Sequence, residues 1–216
     1  MDHIDELARA LARFPGIGPR QGKRFVYYLL AAPTDERKRL AELISALGKE
    51  VKQCPDCMRY FNGTSANICN YCIDKTRDDA LLMIVEKDQD LSAVERAGTY
   101  RGRYFVLGGV FTLSGKGAIR EKDLLHRIEK HLQNGLPAGG GSASGGKEIV
   151  LALSATSEGE HTTDHVRELL TPYRDRLKIS ELGRGLATGS ELEYSDAETL
   201  RAALTNRKSL GGFTPK

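Results

Sequence analysis

The sequence predicts a mixed α and α/β protein: paired helices first, then a small four-cysteine knuckle, a parallel-rich α/β domain and a short C-terminal segment. Three observations carry that reading. Apolar residues recur at helical spacing through Leu11 and Phe14 and then meet Pro15-Gly16. All four cysteines fall between residues 54 and 72, as two Cys-x2-Cys pairs. Beyond them, short apolar runs alternate with helical stretches, the pattern of parallel strands joined by helices.

The first helix rests on Ile4, Leu7, Ala8, Leu11 and Phe14. Pro19 suits the first turn of a second helix, which runs to about Leu30. Tyr27 and Tyr28 in that helix read as core packing in preference to base stacking. Thr34 reads as the N-cap of a third helix with Leu40, Leu43, Ile44 and Leu47 along it. Residues 54–72 read as a loop-rich knuckle. Strands are expected over 81–85, 104–107, 149–153 and 177–182, with helices over 91–97, 122–132 and 162–170 between them. A last helix over 196–204 opens on the acidic cap Asp196. Residues 138–146 (AGGGSASGG) are all small and read as an insertion loop within the α/β region.

Of 216 residues, 40% are apolar and 28% charged, which argues against a disordered chain. No apolar run reaches the roughly 18–20 residues that span a bilayer. Asp2, Asp5 and Glu6 do not fit a signal peptide, so a cytoplasmic protein without membrane association is expected. Thirty-two basic against 29 acidic residues leave a net charge of +3. That excess lies in residues 1–60. Between Leu7 and Thr34 stand Arg9, Arg13, Arg20, Lys23 and Arg24 with no acid among them, a local field that favours a polyanion.

Cys54, Cys57, Cys69 and Cys72 have the spacing of a closed tetrahedral zinc site, one structural ion per chain with no position open to substrate. Disulfides compete with this reading, but a chain without a secretory signal keeps its thiols reduced. In the stretch Phe14 to Arg20, Gly16 and Gly18 permit close backbone approach ahead of a helix N-terminus, and Arg20, Lys23 and Arg24 follow on the next turns. Such a hairpin contacts DNA phosphates and fixes position without reading sequence. Glu86 closes one strand, and Glu158 and Glu160 follow another. Strand ends of a parallel sheet share one edge, so these three carboxylates are expected to converge there, as a trio able to hold Mg²⁺ or as solvated residues at a helix start. Gly141-x4-Gly146-Lys147 fails as a phosphate loop because Glu148 replaces Ser/Thr and the strand comes afterwards. His161-x3-His165 lacks the glutamate of a zinc protease and reads as a polar helix face.

The ordered combination resembles the RecR family of recombination mediators over nearly the whole chain. Its carriers are Phe14-Pro-Gly-Ile-Gly-Pro-Arg20, the four cysteines, Ile84-Val-Glu86, Ala93-Val-Glu95, Gly102 to Gly109, Thr156-x-Glu-Gly-Glu160 and Arg184 to Tyr194. The resemblance implies a helix-hairpin-helix domain over 1–53, a C4 zinc finger over 54–75, a Toprim domain over 79–175 and a C-terminal segment over 176–216. It implies a non-enzymatic dimer or ring tetramer that clamps gapped or junction DNA in a bacterial cytoplasm. Such an assembly acts with RecO and RecF so that RecA can load. Arg20 and Arg24 match the family's DNA-binding basic positions. Glu86, Glu158 and Glu160 would serve partner contacts or at most a weak Mg²⁺ site. The eleven residues between the cysteine pairs exceed the family's usual spacing. The rival reading is a small Mg²⁺-dependent Toprim nuclease or primase-like enzyme built on the same carboxylates.

Overall fold

Asp2 accepts the Ile4 amide and starts α1 (His3–Leu11). In the computed structural model, residues 2–63, 67–112, 117, 119–133, 146–187 and 189–207 are described. Of the expected insertion loop, 138–145 lie outside those residues. The chain divides into two compact units, residues 1–52 with 61–66, and residues 53–60 with 67–216.

In the first unit α1 packs on α2 (Pro19–Ala31), and α3 (Thr34–Glu50) follows. Gly22 makes the α1–α2 crossing possible, since a Cβ there would lie 2.5 Å from the Ala8 carbonyl oxygen. Ala8 and Val26 are buried at this crossing. The third helix starts one residue differently from the expectation. Pro33 holds the cap position, and the Thr34 hydroxyl accepts a hydrogen bond from Arg37. Arg37 also donates to the carbonyls of Leu29 and Ala32, closing the C-terminal end of α2. No residue of α3 is buried, and Leu40, Leu43, Ile44 and Leu47 all face solvent. Tyr27 and Tyr28 are also exposed. The expectation of core packing for them is overturned because Gly22 and Val26 hold the inner face of α2.

Short strands β1 (Val51–Gln53) and β2 (Tyr60–Asn62) pair with each other, and α4 (Asn70–Ile73) carries the last cysteine. The second unit is built on β3 (Asp78–Val85), β4 (Gly102–Val106), β5 (Lys147–Ala152) and β6 (Leu177–Glu181). They form one parallel sheet in the order β4-β3-β5-β6. Leu82 and Ile84, with Phe105, Ile149 and Leu151, face α6 (Glu121–Gln133) and α7 (Ser157–Leu169) through Leu124, Ile128 and Val166. Met83, Val85, Tyr104 and Val106 face the opposite way, toward Leu91 of α5 (Asp88–Ala97). These near-continuous apolar strands are buried on both faces, as a parallel sheet requires. The chain runs from β3 outward to β4, then returns to the other side of β3 as β5. This reversal creates a switch point between β3 and β5, where the crevice beyond the strand ends receives ligands in such folds. The final helix α8 (Ala197–Thr205) is capped by Asp196, as expected.

At the opposite, N-terminal edge of this sheet, His131 is 1% exposed. Burial, reinforced by Lys147 and Arg127, lowers its pKa from 6.5 to about 4. The unfolded chain therefore takes up a proton between these values that the folded chain refuses. The stability that this neutral ring confers is complete above pH 6.5 and is lost as pH falls toward 4, at about 1.4 kcal/mol per unit. Urea unfolding of His131→Gln is expected to show a shallower loss of stability than wild type between pH 6.5 and 4.5.

Candidate functional site

Cys54 and Cys57 sit in a tight turn after β1, in which the Met58 amide donates to the Cys54 carbonyl at 2.8 Å and Met58 takes φ of 61°. Cys69 caps α4, and Cys72 lies within it. The four Sγ atoms all lie within 4.8 Å of one another, and the Cys57 and Cys69 sulfurs are 3.5 Å apart. A tetrahedral ion with metal–sulfur bonds of about 2.3 Å places its sulfurs about 3.8 Å apart, so the cluster fits zinc. All four are free thiols, and three are fully buried. Hydrogen bonds from Cys57, Cys69 and Cys72 drive the Cys54 thiol far down, while the contact with Cys54 drives Cys57 far up. Sulfurs so close repel one another as thiolates, and a shared divalent cation removes that conflict.

The knuckle is bonded into the sheet unit. The Val106 amide donates to the Cys57 carbonyl at 2.8 Å, and the Tyr60 amide donates to Asp88, the first residue of α5, at 2.9 Å. Lys130 of α6 meets Asp56 at 2.5 Å. Arg103 binds Asp79 at 2.7 Å and donates to the carbonyls of Tyr71 and Cys72. Arg77 stacks on Tyr71 and pairs with Glu95, which also accepts the Tyr104 hydroxyl at 2.5 Å. Glu95, Arg103, Tyr104 and Val106 fall within the motifs quoted above, whereas Arg77, Asp79, Asp88 and Lys130 carry no motif. Each contact joins residues distant in sequence, beyond the reach of any local pattern.

In the first unit Gly16 takes φ of 77°, the Ile17 amide closes a turn on the Phe14 carbonyl, and Gly18 is the N-cap of α2. Gly18 supplies no side-chain cap, Pro19 occupies the first turn, and the first turn holds no acid. The amides of that turn therefore have no side-chain cap, the arrangement that suits an anion. Arg20, Lys23 and Arg24 are exposed beside it. Lys23 is not wholly available: Asp5 of α1 lies 3.1 Å away and, as hydrogen-bond acceptor, raises its pKa. The acid-free window in sequence thus meets an acid in space, which makes Arg20 and Arg24 the cleaner cations of the set.

Glu86, Glu158 and Glu160 lie beyond the strand ends of β3 and β5, yet they do not form a cluster able to share one ion. Two of the three carboxylates are already engaged by cations, Glu86 by Lys87 and Glu160 by Arg184. Glu86 is nearly buried, with Lys87 at 2.5 Å. Burial raises its pKa, but Lys87 and hydrogen bonds from Ser154 outweigh it and hold the carboxylate ionised. Glu160 pairs with Arg184, which also pairs with Glu181 at 2.7 Å. Glu158 sits in the first turn of α7, where the helix dipole favours an acid. Arg184 opens the quoted stretch to Tyr194, whereas Lys87 was signalled only by its charge beside Glu86. Gly159 seats this turn, since a Cβ there would lie 2.0 Å from the Ser154 carbonyl oxygen.

A hairpin unit, a four-thiol knuckle and a four-stranded parallel sheet define a helix-hairpin-helix protein with a Toprim-type domain. Three family models match: "RecR, helix-hairpin-helix" over residues 4–47, "Toprim domain" over 80–182 and "RecR, C-terminal" over 185–208. The chain is 36% identical over 210 residues to Recombination protein RecR of Bdellovibrio bacteriovorus, covering 96% of this chain and 97% of that protein. To the protein of the same name in Deinococcus radiodurans it is 37% identical over 212 residues, 97% of this chain and 87% of that one. In Cutibacterium acnes the figures are 34% over 211 residues, with 96% of each chain. The chain belongs to the RecR family.

Gly159→Ala is expected to destabilise the chain by about 1–3 kcal/mol in urea unfolding, because the Ser154 carbonyl cannot yield without moving the β5–α7 turn. Gly183→Ala, with nothing within 4 Å of its added methyl, is expected to leave stability unchanged.

Proposed function

We propose that this chain is a non-enzymatic mediator of recombinational DNA repair that holds DNA with little sequence specificity through the Gly16–Gly18 hairpin. The observation that carries the reading is the uncapped N-terminal end of α2, with Arg20 and Arg24 exposed on the following turns. Phosphates bound there by amides and guanidinium groups would fix position and leave the bases unread. The relatives' name, recombination protein, supports the biological setting. On this reading the protein works in the bacterial cytoplasm at gapped or junction DNA, with RecO and RecF as partners, so that RecA can load. No helix among the described residues is long and apolar enough to cross a membrane.

The four thiols hold one structural zinc. Glu86 and Glu160, already matched by Lys87 and Arg184, serve partner contacts, and Mg²⁺ is not essential. That pairing counts against the nuclease or primase reading, which needs carboxylates free to share a metal. The chain assembles as a dimer or ring tetramer. Support comes from α3, whose exposed Leu40, Leu43, Ile44 and Leu47 leave the first unit with a small core of its own. Repeating a weak hairpin contact around an assembly raises affinity through effective concentration.

Anisotropy on a gapped duplex tests the reading. Arg20→Ala with Arg24→Ala is expected to weaken binding and to flatten the slope of log affinity against log salt by about 2, one phosphate contact per cation. An unchanged slope would contradict the placement of the contacts. Mg²⁺-dependent cleavage lost on Glu86→Gln would contradict the non-enzymatic reading.

A further inference from the structure

The hairpin accounts for phosphates, but it leaves Tyr27 unexplained. On a helix of 3.6 residues per turn, Tyr27 falls within about 20° of Arg20 and between Lys23 and Arg24. The opposite side of α2 is the buried one, with Gly22 and Val26 against α1. Tyr27 is 55% exposed, and no hydrogen bond or ring contact holds it among the described residues. Its neighbour Tyr28 differs, because its hydroxyl donates to Glu36 of α3 at 3.2 Å. An exposed aromatic ring on the outer face of a basic helix has no packing role in this unit.

We infer that Tyr27 is a stacking platform for an unpaired base, and that the α2 stripe from Arg20 to Tyr27 binds single-stranded nucleic acid next to the hairpin. The inference rests on the DNA-binding reading of the hairpin and names the kind of strand that the face accepts. The occupant is chosen by charge. Arg20 and Arg24 lie on the Tyr27 stripe, and the segment Leu7 to Thr34 contains no acid, so an anionic backbone is the matching partner. Lys23, at the flank toward α1, is shared with Asp5. Along the axis Arg20 and Tyr27 are about 10 Å apart, and Arg24 and Tyr27 about 4.5 Å. A strand tracked by the two guanidinium groups thus brings a base within reach of the ring. Bases in a duplex already stack on each other, so only an unpaired base can use Tyr27, whereas the hairpin's phosphate contacts serve either form. One helix therefore holds a backbone at its N-terminal end and detects strand opening two turns later. A gap edge is a DNA structure with both features.

The test measures affinity of the full chain for a 20-nucleotide oligo-dT, for an abasic strand of equal length and for a duplex. Tyr27→Leu is expected to weaken oligo-dT binding about tenfold, the effect of losing one base–aromatic stack. The same change should leave duplex and abasic-strand affinities within about twofold, and Tyr27→Phe should match wild type throughout. Sedimentation of Tyr27→Leu should show the wild-type assembly state. If Tyr27→Leu binds oligo-dT as wild type does, while Arg20→Ala with Arg24→Ala loses all three probes, the platform is refuted and the hairpin reading stands. If the arginine variant also binds the duplex unchanged, the hairpin reading falls with it. An altered assembly state with equal loss on every probe would assign Tyr27 to contact between copies of the chain and overturn the inference.

Discussion

Four sulfurs held within 4.8 Å of one another are the constraint on which the larger unit depends. Left alone they compete for charge, with the Cys54 and Cys69 thiols pushed down and those of Cys57 and Cys72 pushed up. A single divalent cation would turn that competition into a closed shell and would fix two turns that have almost no regular structure of their own. Those turns then act on the sheet. The Cys57 carbonyl takes the Val106 amide at the end of β4, Asp56 takes Lys130 of α6, and Tyr60 is anchored on the first residue of α5. Helices α5 and α6 cover opposite faces of the sheet, so the knuckle ties both layers to one strand. Arg103 adds a second tie, from Asp79 at the start of β3 to the Tyr71 and Cys72 carbonyls.

The switch point between β3 and β5 is where this fold offers a crevice, and the acids are there. Cations stand beside them. Lys87 stands next to Glu86 in sequence and in space, and Arg184 reaches Glu160 from beyond β6. A metal entering would have to displace these charges, and the three carboxylates do not form a group able to share one ion. The edge is thus a surface on which acids and cations are paired. The hairpin unit divides its work differently. Its cations Arg20, Lys23 and Arg24 lie on the exposed side of α2, and Leu40, Leu43, Ile44 and Leu47 of α3 are exposed among the described residues.

Local chemistry made most elements legible. Asp196 is a cap because its carboxylate accepts the amides of Glu198 and Thr199, an interaction that its own tetrapeptide encodes. Strands β3, β4 and β5 were readable as apolar runs because they are largely buried, whereas β6 (LKISE) is partly exposed. The cysteine set was readable because its chemistry demands a particular spacing. Readings failed wherever an answer required knowing what lies across from a residue. Tyr27 and Tyr28 look like core until Gly22 and Val26 take the inner face of α2. Lys23 looks free until α1 brings Asp5 beside it. Glu86, Glu158 and Glu160 share an edge, as topology requires, but Lys87 and Ser154 hold Glu86 and Arg184 holds Glu160. The shift from Thr34 to Pro33 at the start of α3 reflects Arg37, which takes the threonine hydroxyl for another use.

Hydrogen exchange over β4, on the full chain before and after its metal is removed by a chelator, tests the central claim most directly. The account predicts one zinc per chain beforehand. It also predicts that stripping the metal raises exchange at Val106, whose amide is bonded to the Cys57 carbonyl, and at the start of α5 beyond Asp88. A chain that carries no zinc when purified, or whose β4 and α5 amides exchange equally slowly without it, would contradict the claim that the thiol cluster organises the sheet.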